Sequence, residues 1–287
     1  MTVAAYPQRS AHSKAELKLA LRALAACMLR EAFSQFETNL MVLRKSDDPE
    51  VVHQARVGWR RFRSALRLFK PALTDEARPL SSALPSLLNL LSELRDLDVA
   101  WHDTLPPLQE AYTAGDTQRL KAWQSMLSGL QQASARQRQS VRVALLSPEV
   151  GADMVATTAW LQALSETDAD MDSHTDKKVN ASLRHWSERR MARLHRQLKR
   201  ACTEIGSPDH QHRLRILSKR MRYSLEALHA FLPERRAKRW HHQATHLQVK
   251  LGARRDLMQA NVLIAKREGG LEISEFLRGL AIGRSSD

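Results

Sequence analysis

The chain has 287 residues, of which 45 are Lys or Arg and 31 Asp or Glu, giving a formal net charge of +14 at pH 7. Ten Gly and ten Pro are few for this length, while Leu, Ala, Arg and Gln are frequent, which excludes a strand-rich fold and predicts an all-α one. Two cysteines, Cys27 and Cys202, exclude a disulfide framework or a Cys-based zinc site and read as reduced, half-buried core thiols.

The first residues lack the apolar run of a signal peptide, and no later stretch is apolar for the length of a membrane span, so a cytoplasmic protein is expected, with no membrane partner. Ser13, followed three residues later by Glu16, reads as a capping box, and Leu17, Leu21, Leu24, Met28, Phe36 and Leu40 continue a helical stripe to about Arg44. Asp48 and Pro49 mark the next start, an N-cap and a first-turn proline, and that helix runs to Lys70, where Pro71 stops it. A third helix is expected from Asp75 to Thr104, kinked or begun late at Pro79 and Pro85 and ended by Pro106 and Pro107.

Asp116 caps a long helix from Thr117 to Leu146, and Ser147 with Pro148 restarts a shorter one ending near Leu164. The acidic, non-periodic run 165–176 reads as a linker between two halves, 13–164 and 177–282. A helix from Lys177 to Thr203 carries Arg189, Arg193, Arg196 and Arg200 at helical spacing. Ser207 and Pro208 open the next, which Pro233 closes; another runs from Glu234 to Arg267, and 273–280 form a docked amphipathic turn or two.

The helices opened by Pro49 and Pro208 are built to one plan. His53, Arg56, Val57, Arg60, Arg61 and Arg63 recur as His212, Arg215, Ile216, Lys219, Arg220 and Arg222, at a constant offset of 159 (212 − 53). At about 100° per residue, His53, Arg56, Arg60, Arg63 and Arg67 share an arc of roughly 80°, with Ala55, Trp59, Phe62, Leu66 and Phe69 opposite. In the second copy His212, Arg215, Lys219 and Arg222 repeat the stripe, and Leu214, Leu217, Met221 and Leu225 supply the apolar side. Arg61 and Arg220 point off the stripe, and Arg67 is matched by Glu226. No acidic residue lies between His53 and Phe69, so these cations repel one another unless a polyanion neutralises them.

In each half the stripe is followed by a Leu-rich segment with an Arg-Asp pair: Arg95 and Asp96, with Asp98, then Arg255 and Asp256, at an offset of 160 (255 − 95). Together with the run Lys219, Arg220, Arg222 and Tyr223, this pattern resembles the CHAD domain, the conserved histidine α-helical domain, over about 13–266. Two positions depart from symmetry: Ser92 stands where the second copy has Gly252, and Met258 stands at the place of Asp98. The resemblance implies two four-helix bundles related by a pseudo-two-fold, a basic groove or pore that binds inorganic polyphosphate, and no catalysis.

Charge alone allows nucleic acid, an anionic membrane or polyphosphate as partner. Polyphosphate carries about one negative charge per phosphate and no bases, so it needs only convergent donors, bidentate from Arg and mobile from Lys. The expected contacts are Arg56, Arg60, Arg63, Arg215, Lys219 and Arg222, then His53 and His212 as extra cationic donors, with Arg61, Arg67 and Arg220 at the margin. Asp96 and Asp256 are expected to hold Arg side chains across the bundle, with Arg95 and Arg255 in the same supporting role. Charge reversal at Arg60 is expected to weaken binding more than reversal at Arg138.

Metal binding has weak signals in His242 with His246 and in Asp98 with His102 and Asp103, and neither metal nor cofactor is expected. Phosphoanhydride hydrolysis would need Asp96 and Asp98 on one ion, yet residues two apart on a helix point about 160° apart. Alternatives are non-specific nucleic-acid binding, which 5% aromatic content makes less apt for base stacking, and an accessory to a metal-dependent phosphoanhydride hydrolase. A scaffold role beside polyphosphate-granule proteins or polyphosphate-metabolising enzymes is a further reading.

Overall fold

The computed structural model describes residues 8–73, 78–79, 81–166, 177–203, 208–265, 267 and 270–283. The helices are α1 (Gln8–Leu43), α2 (Pro49–Leu68), α3 (Leu84–Asp98), α4 (Gln109–Thr113), α5 (Thr117–Ala144), α6 (Pro148–Glu166), α7 (Lys177–Thr203), α8 (Pro208–Leu228), α9 (Glu234–Ile264) and α10 (Gly270–Gly283). No strand occurs among the described residues, and none of their helices is long and apolar enough to cross a membrane.

Most starts follow the local chemistry read from the sequence. Asp48 Oδ1 accepts from the Glu50 N–H at 2.8 Å and caps α2, while Asp116 accepts from the N–H groups of Gln118 and Arg119 at 2.7 and 3.1 Å and caps α5. Before Asp116 the chain turns on left-handed Ala114 (φ 44°) and Gly115 (φ 83°), the latter a conformation glycine adopts without steric cost.

Two starts differ. α1 begins at Gln8, so Ser13 lies within the helix rather than at its start; residues 8–13 contain no Gly or Pro to stop propagation toward the N-terminus. α3 begins only at Leu84, with Pro85 in its first turn, and its exposed N–H groups find a partner distant in sequence. Asp153 Oδ2 on α6 accepts from Ala83 N and Ser81 Oγ at 2.8 Å and from Leu84 N at 3.0 Å. After Asp98 the helix widens into a π-helical stretch, Val99–Thr104, then a 3₁₀ turn, Pro106–Leu108, and the short α4, which the sequence reading did not anticipate. Of the expected linker, Ser165 and Glu166 belong to α6, and 167–176 lie outside the described residues.

Two compact units emerge. Unit 1 is Met1–Gln35, Gly58–Pro79 and Val155–Gln248; unit 2 is Phe36–Val57, Leu80–Met154 and Val249–Asp287. Each draws on both 13–164 and 177–282, and α1, α2, α6 and α9 contribute to both. In unit 1, α7 packs along α8, Phe62 meets Phe33 and Trp59, and Phe69 stacks on Trp186 with ring centroids 5.9 Å apart. In unit 2, α3 packs along α5, and Trp123, Met126 and Leu130 share a core with Leu257, Ala260, Ile264 and Leu277.

Unit 2 also buries charge. Asp98 is fully buried and receives Ser134 Oγ at 2.6 Å and Arg138 Nη2 at 3.1 and 3.3 Å, and Arg138 is itself 5% exposed. Asp98 is therefore committed to α5 rather than to any ion with His102 and Asp103, and Arg138 is no neutral surface control for a charge reversal. The cysteines also differ from expectation: both thiols are exposed. On α1 the buried stripe Ala25, Ala26 and Leu29 leaves Cys27 on the outward arc.

Removing either partner of the buried pair leaves the other charge uncompensated. Asp98→Ala or Arg138→Ala alone is expected to cost about 3–5 kcal/mol in urea unfolding, and the double substitution less than the sum. Burial raises the pKa of Asp153, but the bonds from Ala83, Ser81, Leu84 and Ser82 outweigh it and hold its carboxyl below the ordinary value. Asp153→Ala should cost about 1–2 kcal/mol at neutral pH. A depressed folded pKa means that this contribution is present above the unfolded value of about 3.9 and disappears as pH falls through the folded one, so wild type and variant should converge in acid.

Candidate anion-binding site

Burial of one face fixes what the opposite face presents. On α2 within unit 1, Phe62, Ala65 and Leu68 are buried; Arg60 is half-buried, and Arg61, Arg63 and Arg67 are exposed. On α8, Leu214, Met221, Leu225 and Leu228 are buried, Arg215, Lys219, Arg220 and Arg222 are half-buried, and His212 is exposed.

One carboxylate serves two of these cations. Glu226 lies 3.6 Å from Arg61 Nε and 3.5 Å from Arg222 Nε. Arg61 also donates to Gln35 Oε1 at 2.9 Å, and the Arg222 guanidinium sits over the Tyr223 ring at 4.9 Å. Arg63, Arg67 and Arg220 form no ion pair among the described residues.

A further cation comes from α7. Arg190 is half-buried, and its Nη2 lies 3.5 Å from the Arg67 carbonyl, which brings it to the end of α2. Burial pushes its pKa down, and the neighbouring Arg220 on α8 and Arg193 push it further. Arg190, Arg193 and Arg220 thus gather positive charge from α7 and α8 beside the end of α2 in one unit, with no described carboxylate paired to any of them.

The sequence reading singled out Arg189, Arg193, Arg196 and Arg200 instead, and all four are exposed. Helical phasing held the missing signal: Val179, Leu183, Met191, Leu194 and Leu198 are the buried stripe of α7, and Arg190 borders it while Arg189, Arg196 and Arg200 lie on the opposite arc.

In unit 2, His53 and Arg56 are half-buried, and Arg56 donates to the Ser92 hydroxyl of α3. Arg255 of α9 lies 4.0 Å from Asp96 of α3, so the Arg of the second motif meets the Asp of the first. Arg95 lies 3.5 Å from Asp103, and Asp256 is half-buried. At Gly252, the counterpart of Ser92, an added Cβ would meet nothing within 4 Å, so the two copies are chemically unequal there. The expected residues are accordingly divided: His53, Arg56, Arg95, Asp96, Arg255 and Asp256 in unit 2, the rest in unit 1. No group of three or more His, Cys, Asp or Glu placed to hold a metal occurs among the described residues.

The family model of the CHAD domain matches residues 27–265. The crystal structure of the CHAD domain from the plant Ricinus communis is similar, with a TM-score of 0.71 and 28% identity, covering 93% of this chain and 86% of that one. No curated protein matches.

Cations crowded without carboxylates respond to multivalent anions beyond simple screening. Sulfate should raise the melting temperature by several degrees more than chloride at equal ionic strength, and Arg190→Gln should shrink that difference by about half. An unchanged difference in the variant would remove Arg190 from the site.

Proposed function

The chain belongs to the CHAD domain family, and we propose that it binds inorganic polyphosphate non-covalently along the cationic faces of α2 and α8. The observation that carries this reading is the convergence of Arg190, Arg193 and Arg220 beside the end of α2, with no described carboxylate partner. A flexible chain of phosphates supplies negative charge at close, adjustable spacing and accepts bidentate bonds from Arg60, Arg63 and Arg215 and a point charge from Lys219. His53 and His212 add donors when protonated beside phosphate. The same reading includes the pseudo-two-fold duplication of four-helix bundles that the family resemblance implies.

Single-stranded nucleic acid is the rival ligand. It calls for aromatic platforms on the cationic face, whereas Phe62 and Phe69 are buried and Trp59 packs on Phe62. The activity we propose is binding without catalysis or cofactor; in support, Asp98 is bound to Arg138 and Asp96 lies beside Arg255. A cytoplasmic location, and association with granule proteins or polyphosphate-metabolising enzymes, follow as part of the same proposal.

Calorimetric titration with long-chain polyphosphate, duplex DNA and RNA of equal total charge, at near-physiological salt, tests the reading. Polyphosphate should bind with a dissociation constant at least about tenfold lower than either nucleic acid, and binding should weaken steeply with salt. Arg60→Glu should weaken it about tenfold or more, while Lys121→Glu, at an exposed position of α5, should change it less than about twofold. Equal binding of all three polyanions, or of none, would overturn the assignment.

A further inference from the structure

The duplication is broken at one charged position. Where the stripe of α2 carries Arg67, that of α8 carries Glu226, the carboxylate paired to both Arg61 and Arg222. Its separations of 3.6 and 3.5 Å exceed the roughly 2.7–2.9 Å of a well-formed charge-assisted hydrogen bond. Beside this contact, within unit 1, lies a cavity of about 180 Å³ lined in part by Glu31, Gln35, Arg61, Tyr223 and Glu226. That is room for several waters, and so for a phosphoryl group.

Tyr223 is 6% exposed, and its hydroxyl is buried with no hydrogen-bond partner among the described residues. A buried O–H donor left unmatched, on a ring that lies under the Arg222 guanidinium and lines the same cavity as Arg61, is the complement of an oxyanion. We propose that Arg61, Arg222 and Tyr223 form a phosphoryl subsite at the end of the cationic face, closed by Glu226 in the free protein and opened when a phosphate displaces that carboxylate.

This rests on the polyphosphate reading and sharpens it. Glu31 and Glu226 together offset the local positive charge, so a free anion gains little by entering. A phosphate belonging to a chain already held by Arg60, Arg63 and Lys219 arrives at an effective concentration of about millimolar or more, and can compete with Glu226. The subsite therefore discriminates tethered phosphate from free orthophosphate. It opens without covalent change.

The test titrates wild type, Glu226→Gln, Tyr223→Phe and the double variant with long-chain polyphosphate and with orthophosphate, at several salt concentrations. Glu226→Gln should bind the chain about 3–10-fold tighter, with a log–log salt slope steeper by about one. Tyr223→Phe should cancel at least half of that gain in the double variant. In the free protein it should leave the melting temperature unchanged or raised, because no bond is lost. Orthophosphate should fail to bind wild type at concentrations where the chain saturates it.

Glu188→Gln, which removes a surface carboxylate 3.7 Å from Arg236, is the control for charge alone and should shift affinity less than about twofold. Glu226→Ala provides a second variant with the carboxylate removed. No gain in either Glu226 variant, or an equal gain in Glu188→Gln, would overturn the subsite while leaving polyphosphate binding intact. Failure of wild type to bind the chain would overturn both. Equal saturation by orthophosphate would overturn the discrimination and make the site one for free phosphate.

Discussion

Like charges held close together are the constraint around which unit 1 is arranged. Two unit charges 4 Å apart near a protein surface oppose each other by up to about 4 kcal/mol at an effective dielectric of 20. Full burial of one large apolar side chain contributes about 1.5–3 kcal/mol. No single anchor holds a cationic helix in place against several such neighbours, and α2 and α8 use many: Phe62, Ala65, Leu68 and Phe69 on one, Leu214, Met221, Leu225 and Leu228 on the other. The strain of the charged face is carried by the apolar face of the same helix.

Arginine has two unlike roles in this chain, and its surroundings decide which. Arg138 is buried against Asp98 and ties α5 to α3; Arg142 reaches the Leu43 and Ser46 carbonyls and Asp47, closing the end of α1 against α5. Those guanidinium groups are held by the protein's own oxygens. Arg63 and Arg220 carry the same charge with no described carboxylate, and such groups remain available to an outside anion.

The all-α class, most of the helices and the duplicated stripe were legible because each rests on a local signal: proline at first turns, Asp48 and Asp116 as caps, a 3.6-residue period. What escaped depended on distant partners. Pro85 marks the late start of α3, but the carboxylate that caps it, Asp153, lies about seventy residues away. Asp98 seemed a companion of His102 and Asp103 by proximity in sequence, whereas its partners Ser134 and Arg138 lie on another helix. Arg190 is legible only from its phase against the buried stripe of α7, not from the spacing among arginines. Both cysteines were assigned to the interior from residue type, which says less than position on the helix.

The interleaving of the two units bears on how the chain is made. Unit 1 reaches from the N-terminus to Gln248, and unit 2 begins at Phe36 and needs α10. On a ribosome neither can close when the first half has emerged; the apolar side of α1, with Leu21, Leu29 and Phe33, must wait for more than two hundred residues of later chain before unit 1 is complete. Contacts at such separation form slowly and leave apolar surface open meanwhile. Until then the apolar faces of the early helices lack the later segments that complete their unit, and their cationic faces precede the fold that orders them.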